Sequence, residues 1–421
     1  MNAVLQSLTA LARFTTDPYR TMDRLYERNG PVSWVGAGPV RFALLLGPEA
    51  TEFVIGNSEL FSWRRAFAAL EPLAGPGALV VNDGPRHRRL RRLVRPAFTA
   101  DRLAGCADAT RRHVAAVIDT WRPGDVVEVY GRLRSALRDA TAECLFGPGA
   151  LRRADGLNAH LQAIHEAIDA GPLVRSLQGR GLPSWRRALA ARAVIRQWVA
   201  EESVRGRSGP DVLSALLDSR ADGGLTQDEV CDQLVSFWAA GAETTAATVA
   251  WALHCALSDR AVWDGIVGEA SAGDDPPYLD QVVRETLRLY PATAVAQRVA
   301  ATGFAFAGHR FPAGTTLLFS PYHTHRIKAL WTDALRFDPG RWDRARPRRH
   351  EYLPFGGGPH RCVGAGLATA MVKAALAEVA RSADPWLVSR DATPTGLVGM
   401  RPKHGLTLLV RDVVRTGGVA R

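Results

Sequence analysis

One helical segment in this sequence is much longer than an ordinary helix of a globular domain. Thr226 is followed three residues later by Glu229, which is the pattern of a capping box at a helix start. The apolar period continues from there to about Leu257. At about 1.5 Å per residue the segment is roughly 45–50 Å long, enough to cross a whole domain. We therefore expect a fold in which one long helix runs through the centre.

The middle of this helix contains residues that do not favour a helix. The stretch 239–245 reads Ala-Ala-Gly-Ala-Glu-Thr-Thr. A glycine inside a helix costs about 1 kcal/mol relative to alanine, and the hydroxyls of Thr244 and Thr245 compete for backbone carbonyls. Close helix–helix packing at a patch of small residues explains the pattern and, on these residues alone, is the favoured explanation. The alternative is a functional opening, where a flat ligand and a diatomic molecule approach the backbone.

A single cysteine lies in a glycine-rich loop near the end of the chain. The loop, Phe355–Gly364, has the spacing F-x-x-G-x-H-x-C-x-G around Cys362, and a helical run over 365–379 follows it. Glycines let backbone N–H groups turn toward the sulfur, and the helix start favours thiolate over thiol. A thiolate is the axial ligand that pushes electron density into a haem iron. A buried free cysteine beside a turn is the alternative, and the ten-residue pattern makes it the weaker one.

The remaining cysteines and the N-terminus indicate the compartment. Five cysteines are scattered along the chain without a C-x-x-C pair, which argues against a disulfide framework or a structural zinc site. The apolar stretch at residues 1–11 is too short to span a bilayer and lacks the features of a signal peptide. We expect a cytoplasmic protein that does not associate with membranes.

The chain is basic, with 53 lysines and arginines against 42 acidic residues and a formal net charge of +11. Few of the basic residues are lysines, and a GC-rich genome explains that bias without any function. The densest run is Arg86, Arg88, Arg89, Arg91, Arg92 and Arg95. A solvated charged helix explains it, and no interleaved aromatic residues or DNA-binding motif accompany it. We therefore expect no nucleic-acid partner.

The whole chain reads as one mainly helical domain, residues 1–421, with a small β region. Short strands are predicted at 32–35, 41–46 and 298–318, and a hairpin at 393–410. The breaker-rich segment Gly171–Pro183 lies between two predicted helices. It is consistent with a lid or with a helical hairpin of the core.

Four stretches agree in order and spacing with the cytochrome P-450 family, which the chain therefore resembles. They are A-G-x-E-T-T at Ala240–Thr245, E-x-x-R at Glu285–Arg288, F-x-P-x-R-W at Phe337–Trp342, and the cysteine loop. A fifth, D-x-P-x-H-x-x-x-R at Asp83–Arg91, resembles soluble bacterial members. The resemblance covers most of the chain and implies a triangular helical prism with haem b between the long helix and the cysteine loop.

The resemblance also implies a role for individual residues. Cys362 matches the iron ligand, and Glu243 with Thr244 matches the acid–alcohol pair that helps to deliver protons during oxygen activation. Further residues that match haem-contacting positions are His87, Arg91, Arg298, His360, Phe355, Gly356, Ala240 and Gly241, of which the first four would bind the propionates. Glu285, Arg288 and Arg341 match a buried structural ion-pair cluster. The loop of Arg341 has Gly340 and Trp342 where Glu and Phe are frequent in the family.

The activity implied is that of a bacterial-type haem-thiolate monooxygenase, which inserts one atom of O₂ into an organic substrate. Electrons would come from a ferredoxin or flavodoxin with an NAD(P)H reductase, because the haem domain occupies the whole chain. A peroxide-driven peroxygenase and a non-catalytic haem sensor are the alternatives. Both are disfavoured because the acid–alcohol pair is intact.

The substrate-contacting residues are the least specific prediction. Candidate pocket walls are Leu79, Val80, Phe237, Trp238, Thr293, Ala294, Val295, Leu397 and Val398. None is charged, so we expect a neutral, largely apolar small molecule, since a buried charge would have no partner there. A secondary metabolite of the terpenoid class is favoured, with a polyketide next. Several of these residues are equally consistent with simple core packing.

Overall fold

The computed structural model describes residues 2–149, 156–168, 181–205, 209–221, 224–272, 277–388, 390 and 392–414. Helices dominate these residues and the strands are short, which confirms the prediction of a mainly α fold with a small β region. Most of the Gly171–Pro183 segment lies outside the described residues. The prediction of a single domain over residues 1–421 stays a prediction.

Seventeen α-helices are found in the described part of the chain. Several begin with proline at the first or second position, where the missing N–H is not needed. The helices are α1 (Asn2–Thr16), α2 (Pro18–Asn29), α3 (Pro48–Gly56), α4 (Trp63–Ala66), α5 (Glu71–Ala74), α6 (Gly84–Val94), α7 (Ala100–Ile118), α8 (Val129–Phe146), α9 (Leu157–Ile168), α10 (Pro183–Val204), α11 (Val212–Ala221), α12 (Gln227–Ser258), α13 (Arg260–Ala272), α14 (Pro277–Leu289), α15 (Pro321–Thr324), α16 (Arg341–Arg344) and α17 (Ala365–Ser382).

The strands in the same residues are short and fall into four groups. They are β1 (Val32–Val35), β2 (Phe42–Leu45), β3 (Phe61–Ser62), β4 (Val126–Glu128), β5 (Ala296–Ala300), β6 (Phe304–Phe306), β7 (His309–Phe311), β8 (Thr316–Phe319), β9 (Ala383–Leu387), β10 (Pro394–Thr395), β11 (Arg401–Pro402) and β12 (Thr407–Val413).

The chain divides into two compact units. The first, called here the sheet unit, comprises Met1–Ala66, Arg284–Cys362 and Gly396–Met400. The second, called the helical unit, comprises Phe67–Val283, Val363–Thr395 and Arg401–Arg421. Each is described by itself.

The sheet unit is built on five strands in the order β1-β2-β8-β5-β3. Neighbouring strands are antiparallel except β2 and β8, which are parallel. One face buries Val35, Leu44 and Met22 of α2, while Leu45, Leu317 and Phe61 lie in a second apolar cluster. The alternation of buried side chains along β2 and β8 fills both clusters, as expected for a sheet that is covered on both faces.

The helical unit is organised around α12, which is 32 residues long. Helices α8 and α17 pack against it, α7 packs against α8 and α17, and α9 pairs with α10. One large apolar cluster of this unit includes Trp238 and Leu234 of α12, Phe146 of α8, Leu161 of α9 and Ile195 of α10. The sheets β4-β12-β9 and β10-β11 lie in this unit as well.

The predicted start of α12 is confirmed in detail. The Thr226 side chain accepts a hydrogen bond from the N–H of Glu229, and the Glu229 carboxylate accepts one from the N–H of Thr226. Two donors at the start of the helix are thereby satisfied, as in a capping box. The helix continues without interruption through Gly241 and Thr244 to Ser258. None of the helices in the described residues is long and apolar enough to cross a membrane.

Candidate functional site

The middle of α12 has one stretch that is not buried. Between Glu229 and Ala256 the residues that escape burial are Phe237, Ala239, Ala240, Gly241 and Thr244. Phe237, Gly241 and Thr244 follow the i, i+4, i+7 spacing of one helix face. These three residues therefore share one face of α12, and none of them is fully buried.

Thr244 is held to its own helix. Its hydroxyl donates to the carbonyl of Ala240 at 2.7 Å and lies 3.3 Å from the carbonyl of Gly241. This is the competition with backbone acceptors that the sequence indicates, and the helix accommodates it without a break. The Thr244 oxygen keeps the ability to accept a further hydrogen bond, because a hydroxyl carries two lone pairs.

Glu243 is buried and bound by side chains from two other helices. Its carboxylate accepts hydrogen bonds from the Tyr130 hydroxyl and from Nε of Arg134, each at 2.6 Å. Nε2 of His165 on α9 lies 3.6 Å from the same carboxylate. Burial alone would raise the pKa of Glu243, but these hydrogen bonds and the charge of Arg134 outweigh it, so the pKa lies below its ordinary value.

The helix α6 carries the two basic residues that were expected to meet propionates. His87 is buried and Arg91, one turn later, is half-buried. Of the other arginines in this run, Arg89 is bound to Glu229 at 2.8 Å. The members whose side chains are exposed are Arg86, Arg88, Arg92 and Arg95.

The segment before α6 is fixed to α12 by two polar side chains. Asp232, 1 % exposed, accepts from the N–H of Gly77 at 2.9 Å and also pairs with Arg192 of α10. Gln233 accepts from the N–H of Leu79 at 3.0 Å. Burial raises the pKa of Asp232, although Gly77 and Arg192 act against it.

The candidate pocket residues of the helical unit differ in their surroundings. Leu79 belongs to the large apolar cluster, Phe237 packs against it and against Phe98, and Trp238 is fully buried inside it. Val80 packs instead against a separate small cluster of Ala74, Ala78 and Val81. Phe237 is therefore the wall candidate on α12 that keeps exposed surface.

The candidate pocket residues of the sheet unit lie together. Thr293 forms an isolated bridge with Val398, and the N–H of Ala294 donates to the carbonyl of Leu397 at 2.9 Å. Ala294 and Val295 are buried, whereas Val398 is 59 % exposed. The backbone thus brings the segment at 293–295 and the turn at 397–398 side by side, as their joint assignment to a wall requires.

The cysteine loop is closed by a backbone hydrogen bond. The N–H of Cys362 donates to the carbonyl of Phe355 at 2.9 Å. Gly356 and Gly358 have φ angles of +67° and +65°, which other residues rarely adopt. Of the five cysteines, all of them described, Cys362 is the one with an exposed side chain. The loop therefore presents its thiol outward.

Arg298 and His360 both pack against one aromatic ring, that of Trp63. The His360 ring stacks on Trp63 with centroids 4.5 Å apart and planes 6° apart. Cζ of Arg298 lies 3.9 Å from the centre of the same Trp63 ring. Trp63 thus positions two basic groups, although no sequence motif includes Trp63.

Glu285, Arg288 and Arg341 form a buried cluster in the sheet unit. Arg288 donates to both oxygens of Glu285 at 2.9 Å, and Nε of Arg341 donates to Glu285 at 3.1 Å. Neither Glu285 nor Arg288 has exposed side-chain surface. Further donors of Arg288 bind the carbonyls of His325 and Ala334.

His325 connects this cluster to the chain ahead of the cysteine loop. Burial lowers the pKa of His325 to about 3, and the charge of Arg288 acts in the same direction. The ring is therefore neutral, with Nδ1 3.1 Å from the carbonyl of Arg288, and Nε2 accepts from the N–H of Leu353 at 2.9 Å. Leu353 lies two residues before Phe355, where the loop begins.

The described residues fit the haem that the resemblance implies. An exposed thiol in a closed glycine loop suits an iron ligand, because thiolate is a soft donor. In the sheet unit Arg298 and His360 are basic groups suited to a carboxylate, and the helical unit by itself has His87 and Arg91 on α6, which are suited to one as well. The open stretch of small residues on α12 suits a flat ring.

Sequence reasoning missed several residues of this site. Tyr130 and Arg134 stand at i, i+4 and therefore share a face of α8, yet that spacing names no partner for them. Trp63 and His325 carry no local pattern at all. Only long-range contacts identify these residues, since Glu243 is 113 residues from Tyr130 and 109 from Arg134.

A comparison with protein families finds that residues 3–382 match the family model described as Cytochrome P450. The chain is similar to "Putative cytochrome P450 139" of Mycobacterium tuberculosis, with 36 % identity over 413 residues, covering 92 % of this chain and 96 % of the relative. It is also similar to cyclooctat-9-en-7-ol 5-monooxygenase of Streptomyces melanosporofaciens, with 33 % identity over 83 % of this chain and 82 % of the relative.

Two further comparisons agree with these. Pentalenene oxygenase of Streptomyces avermitilis is 29 % identical over 93 % of this chain and 92 % of its own length. The solved structure described as retinoic acid bound cyanobacterial CYP120A1 matches with a TM-score of 0.80 at 21 % identity, over 95 % of this chain and 96 % of that one. At that identity the likeness supports the fold alone.

The buried Glu285 cluster generates a test of stability. We expect Glu285→Gln to destabilise the protein by roughly 3–5 kcal/mol, because it leaves Arg288 and Arg341 buried without a counter-charge. Denaturant unfolding of the purified protein measures the change. Glu351→Gln is the control, since Glu351 pairs at 4.0 Å with Arg348, whose side chain is 78 % exposed, and its loss costs about 1 kcal/mol or less. Equal effects of the two substitutions would contradict the role of Glu285.

Proposed function

The chain belongs to the cytochrome P450 family and is a haem-iron monooxygenase, and we propose that it oxygenates a neutral, apolar small molecule with electrons from an external ferredoxin or flavodoxin. When bound, the haem supplies the oxygen chemistry, in which one atom of O₂ enters the substrate and the other leaves as water. The steps that follow assign what the residues of this chain do.

The observation that carries the assignment is the exposed thiol of Cys362 in its closed loop. The hydrogen bond to Phe355 and the positive φ of Gly356 fix the turn that presents the sulfur. We assign Cys362 as the iron ligand. The start of α17, three residues later, favours the thiolate form.

Arg298, His360, His87 and Arg91 are proposed to bind the propionates. Arg298 and His360 both pack against the Trp63 ring, which holds two basic side chains ready to bind carboxylate oxygens. Charge-assisted hydrogen bonds from such groups are stronger than neutral ones. Glu285, Arg288 and Arg341 are proposed to have a structural role behind the cysteine loop, through His325 and Leu353.

Glu243 and Thr244 are proposed to move protons during oxygen activation. The Thr244 hydroxyl lies on the open stretch of α12, and the Glu243 carboxylate comes next to it in sequence. The hydrogen bonds to Glu243 keep the carboxylate ionised near neutral pH, so that it can accept a proton and pass it on.

The substrate is proposed to be a cyclic terpenoid, with a polyketide as the second choice. The wall candidates carry no charge, and the Asp232 carboxylate near this segment is engaged by the N–H of Gly77 and by Arg192. Two relatives are named for acting on pentalenene and on cyclooctat-9-en-7-ol, and both names denote neutral, largely hydrocarbon skeletons. These names support a role in secondary metabolism for this chain as well.

The electron donor is proposed to be an acidic protein that docks on α6. The exposed basic residues there are Arg86, Arg88, Arg92 and Arg95, and the net charge of +11 favours attraction of an acidic partner.

All five cysteines are free thiols, which supports a reducing, cytoplasmic location for this reaction.

The ligand assignment is tested by carbon monoxide spectra. We expect the reduced protein with carbon monoxide to show the red-shifted Soret band of thiolate ligation, because the sulfur donates electron density to the iron. Cys362→Ala should abolish the band, whereas Cys231→Ala, which removes a buried thiol, should keep it. If the band survives in Cys362→Ala, another residue is the ligand.

The proton-delivery role is tested by the coupling of electrons to product. Thr244→Ala should retain haem and bind substrate, but divert most electrons from NAD(P)H into hydrogen peroxide, because a hydroxyl is lost from the open face of α12. Thr110→Val is the control, since Thr110 makes the same i−4 bond, at 2.7 Å to Cys106, on another helix. Unchanged coupling in Thr244→Ala would refute the role, and full turnover on peroxide alone would favour a peroxygenase.

The docking surface is tested by salt dependence. Replacing Arg88 and Arg92 by glutamine should raise the ferredoxin concentration for half-maximal rate and flatten its dependence on ionic strength, because two exposed charges that steer an acidic partner are removed. Replacing Arg186 and Arg187, which are exposed on α10, changes the net charge equally and is the control. The same salt profile in both variants would place docking elsewhere.

The substrate class is tested by spectral titration with neutral terpenoids, macrolides and charged ligands. A neutral terpenoid should displace water from the iron and shift the haem toward high spin. Phe237→Ala should weaken its binding about tenfold or more, because apolar contact is lost. If charged ligands alone produce the shift, the proposal of a neutral pocket is wrong.

A further inference from the structure

The Glu243 network is more open to solvent than the Asp232–Arg192 pair of the same helix. The Arg134 side chain is 31 % exposed and Tyr130 is half-buried, so that both extend from the Glu243 carboxylate toward the surface. In the Asp232–Arg192 pair the side chains are 1 % and 13 % exposed, which closes it off. Exposure alone does not set the network apart, since the side chains of the Glu229–Arg89 pair are 10 % and 41 % exposed. The added feature at Glu243 is the Tyr130 hydroxyl that donates to its carboxylate.

The bonds to Glu243 are directed so that Tyr130 donates. Burial raises the pKa of Tyr130, and the bond to Glu243 and its charge raise it further, so the phenol stays protonated. A phenol that donates one hydrogen bond still has lone pairs to accept another from water. Tyr130 is therefore able to pass a proton inward and receive one from outside.

The other charged groups around this carboxylate come from three elements. On α8 they are Arg134 and Arg138. Burial and the charge of Arg134 lower the pKa of Arg138, whereas the charge of Glu243 raises it. On α9 they are His165, next to Glu243, and Glu166, which acts on Arg138. On β11 the group is Arg401, whose charge lowers the pKa of Tyr130. Burial and Glu243 raise that pKa by a larger amount.

We propose that Tyr130 and Arg134 are positioning residues of the oxygenation reaction, and that protons reach Glu243 from the α8 side through the Tyr130 hydroxyl. The proposal rests on the proton-delivery role of Glu243 in the proposed function. As the Tyr130 hydroxyl passes its proton to Oε1 of Glu243, the Tyr130 oxygen takes up an excess proton from hydronium in the solvent. One proton thus moves inward, neither tyrosinate nor hydroxide is left behind, and no electron is transferred. After Glu243 has passed its proton on, the charge of Arg134 stabilises the ionised carboxylate, which is the form that accepts the next proton.

The titration of Glu243 is the first test, and it does not depend on turnover. Infrared difference spectra of the haem-loaded enzyme, recorded against pH, follow its carboxylate, and Glu243→Gln identifies the band. Tyr130→Phe and Arg134→Gln should each raise the pKa of Glu243, because each removes a hydrogen bond to the charged form. Arg134→Lys should restore part of the shift. The controls are Tyr352→Phe, which loses a 3.0 Å bond to the carbonyl of Arg284, and Arg132→Gln, an exposed residue of α8.

Proton supply is the second test. Tyr130→Phe should lower the amount of product formed per NAD(P)H and increase the solvent deuterium isotope effect. It should also slow oxygen turnover about tenfold, as the loss of a hydrogen bond to a charged group predicts. The isotope effect rises because proton transfer then limits the rate. A merely structural role would lower the melting temperature and leave the isotope effect unchanged.

The outcomes separate this proposal from the function on which it rests. If Tyr130→Phe folds with an unchanged melting temperature and neither the Glu243 titration nor the isotope effect moves, the inlet through Tyr130 is refuted. If Glu243→Gln itself leaves coupling and isotope effect unchanged, the proton-delivery role fails first, although the Glu243 titration still shifts in Tyr130→Phe. If Arg134→Gln does not fold, Arg134→Lys and Tyr130→Phe still decide the matter.

Discussion

The structure of the helical unit depends on acidic residues of α12 that arginines from other helices neutralise. The pairs are Glu229 with Arg89 of α6, Asp232 with Arg192 of α10, and Glu243 with Arg134 of α8. A buried carboxylate is costly unless it is paired and hydrogen-bonded. Each ion pair therefore restricts the position of a neighbouring helix relative to α12. Apolar packing alone is compatible with many such positions. The long helix acts as an axis that specifies the positions of α6, α8 and α10.

The sheet unit uses the same principle around Glu285, whose carboxylate is bound by Arg288 and Arg341. The neutral ring of His325 extends the cluster by accepting the N–H of Leu353. From there the chain runs directly into the loop that presents Cys362. Buried polar groups with satisfied hydrogen bonds thus hold the segment that leads to the Cys362 thiol. Such support is more rigid than that of a surface loop by itself.

The sequence predicts the parts of this molecule that depend on local signals. The capping box at Thr226, the family's motifs and the glycine turn before Cys362 are each contained in a few consecutive residues, and the helical class follows from the apolar period. The partners of Glu243 are a different case, because they lie more than a hundred residues away on a helix with no distinctive pattern. Trp63 is similar, since its two neighbours come from β5 and from the cysteine loop. Contacts set by tertiary packing leave no trace in a single sequence.

The acidic residues of α12 and its open stretch occupy different faces of the helix. At 3.6 residues per turn, the acids at 229, 232 and 243 point roughly 100° away from the centre of the stretch formed by Phe237, Ala240, Gly241 and Thr244. A change at Phe237 therefore alters what contacts a substrate without disturbing an ion pair, while a change at Glu243 alters the network that reaches Tyr130. On the roles proposed above, substrate contact at Phe237 and proton supply through Glu243 are separable on this helix, whereas Thr244 shares the open face with Phe237.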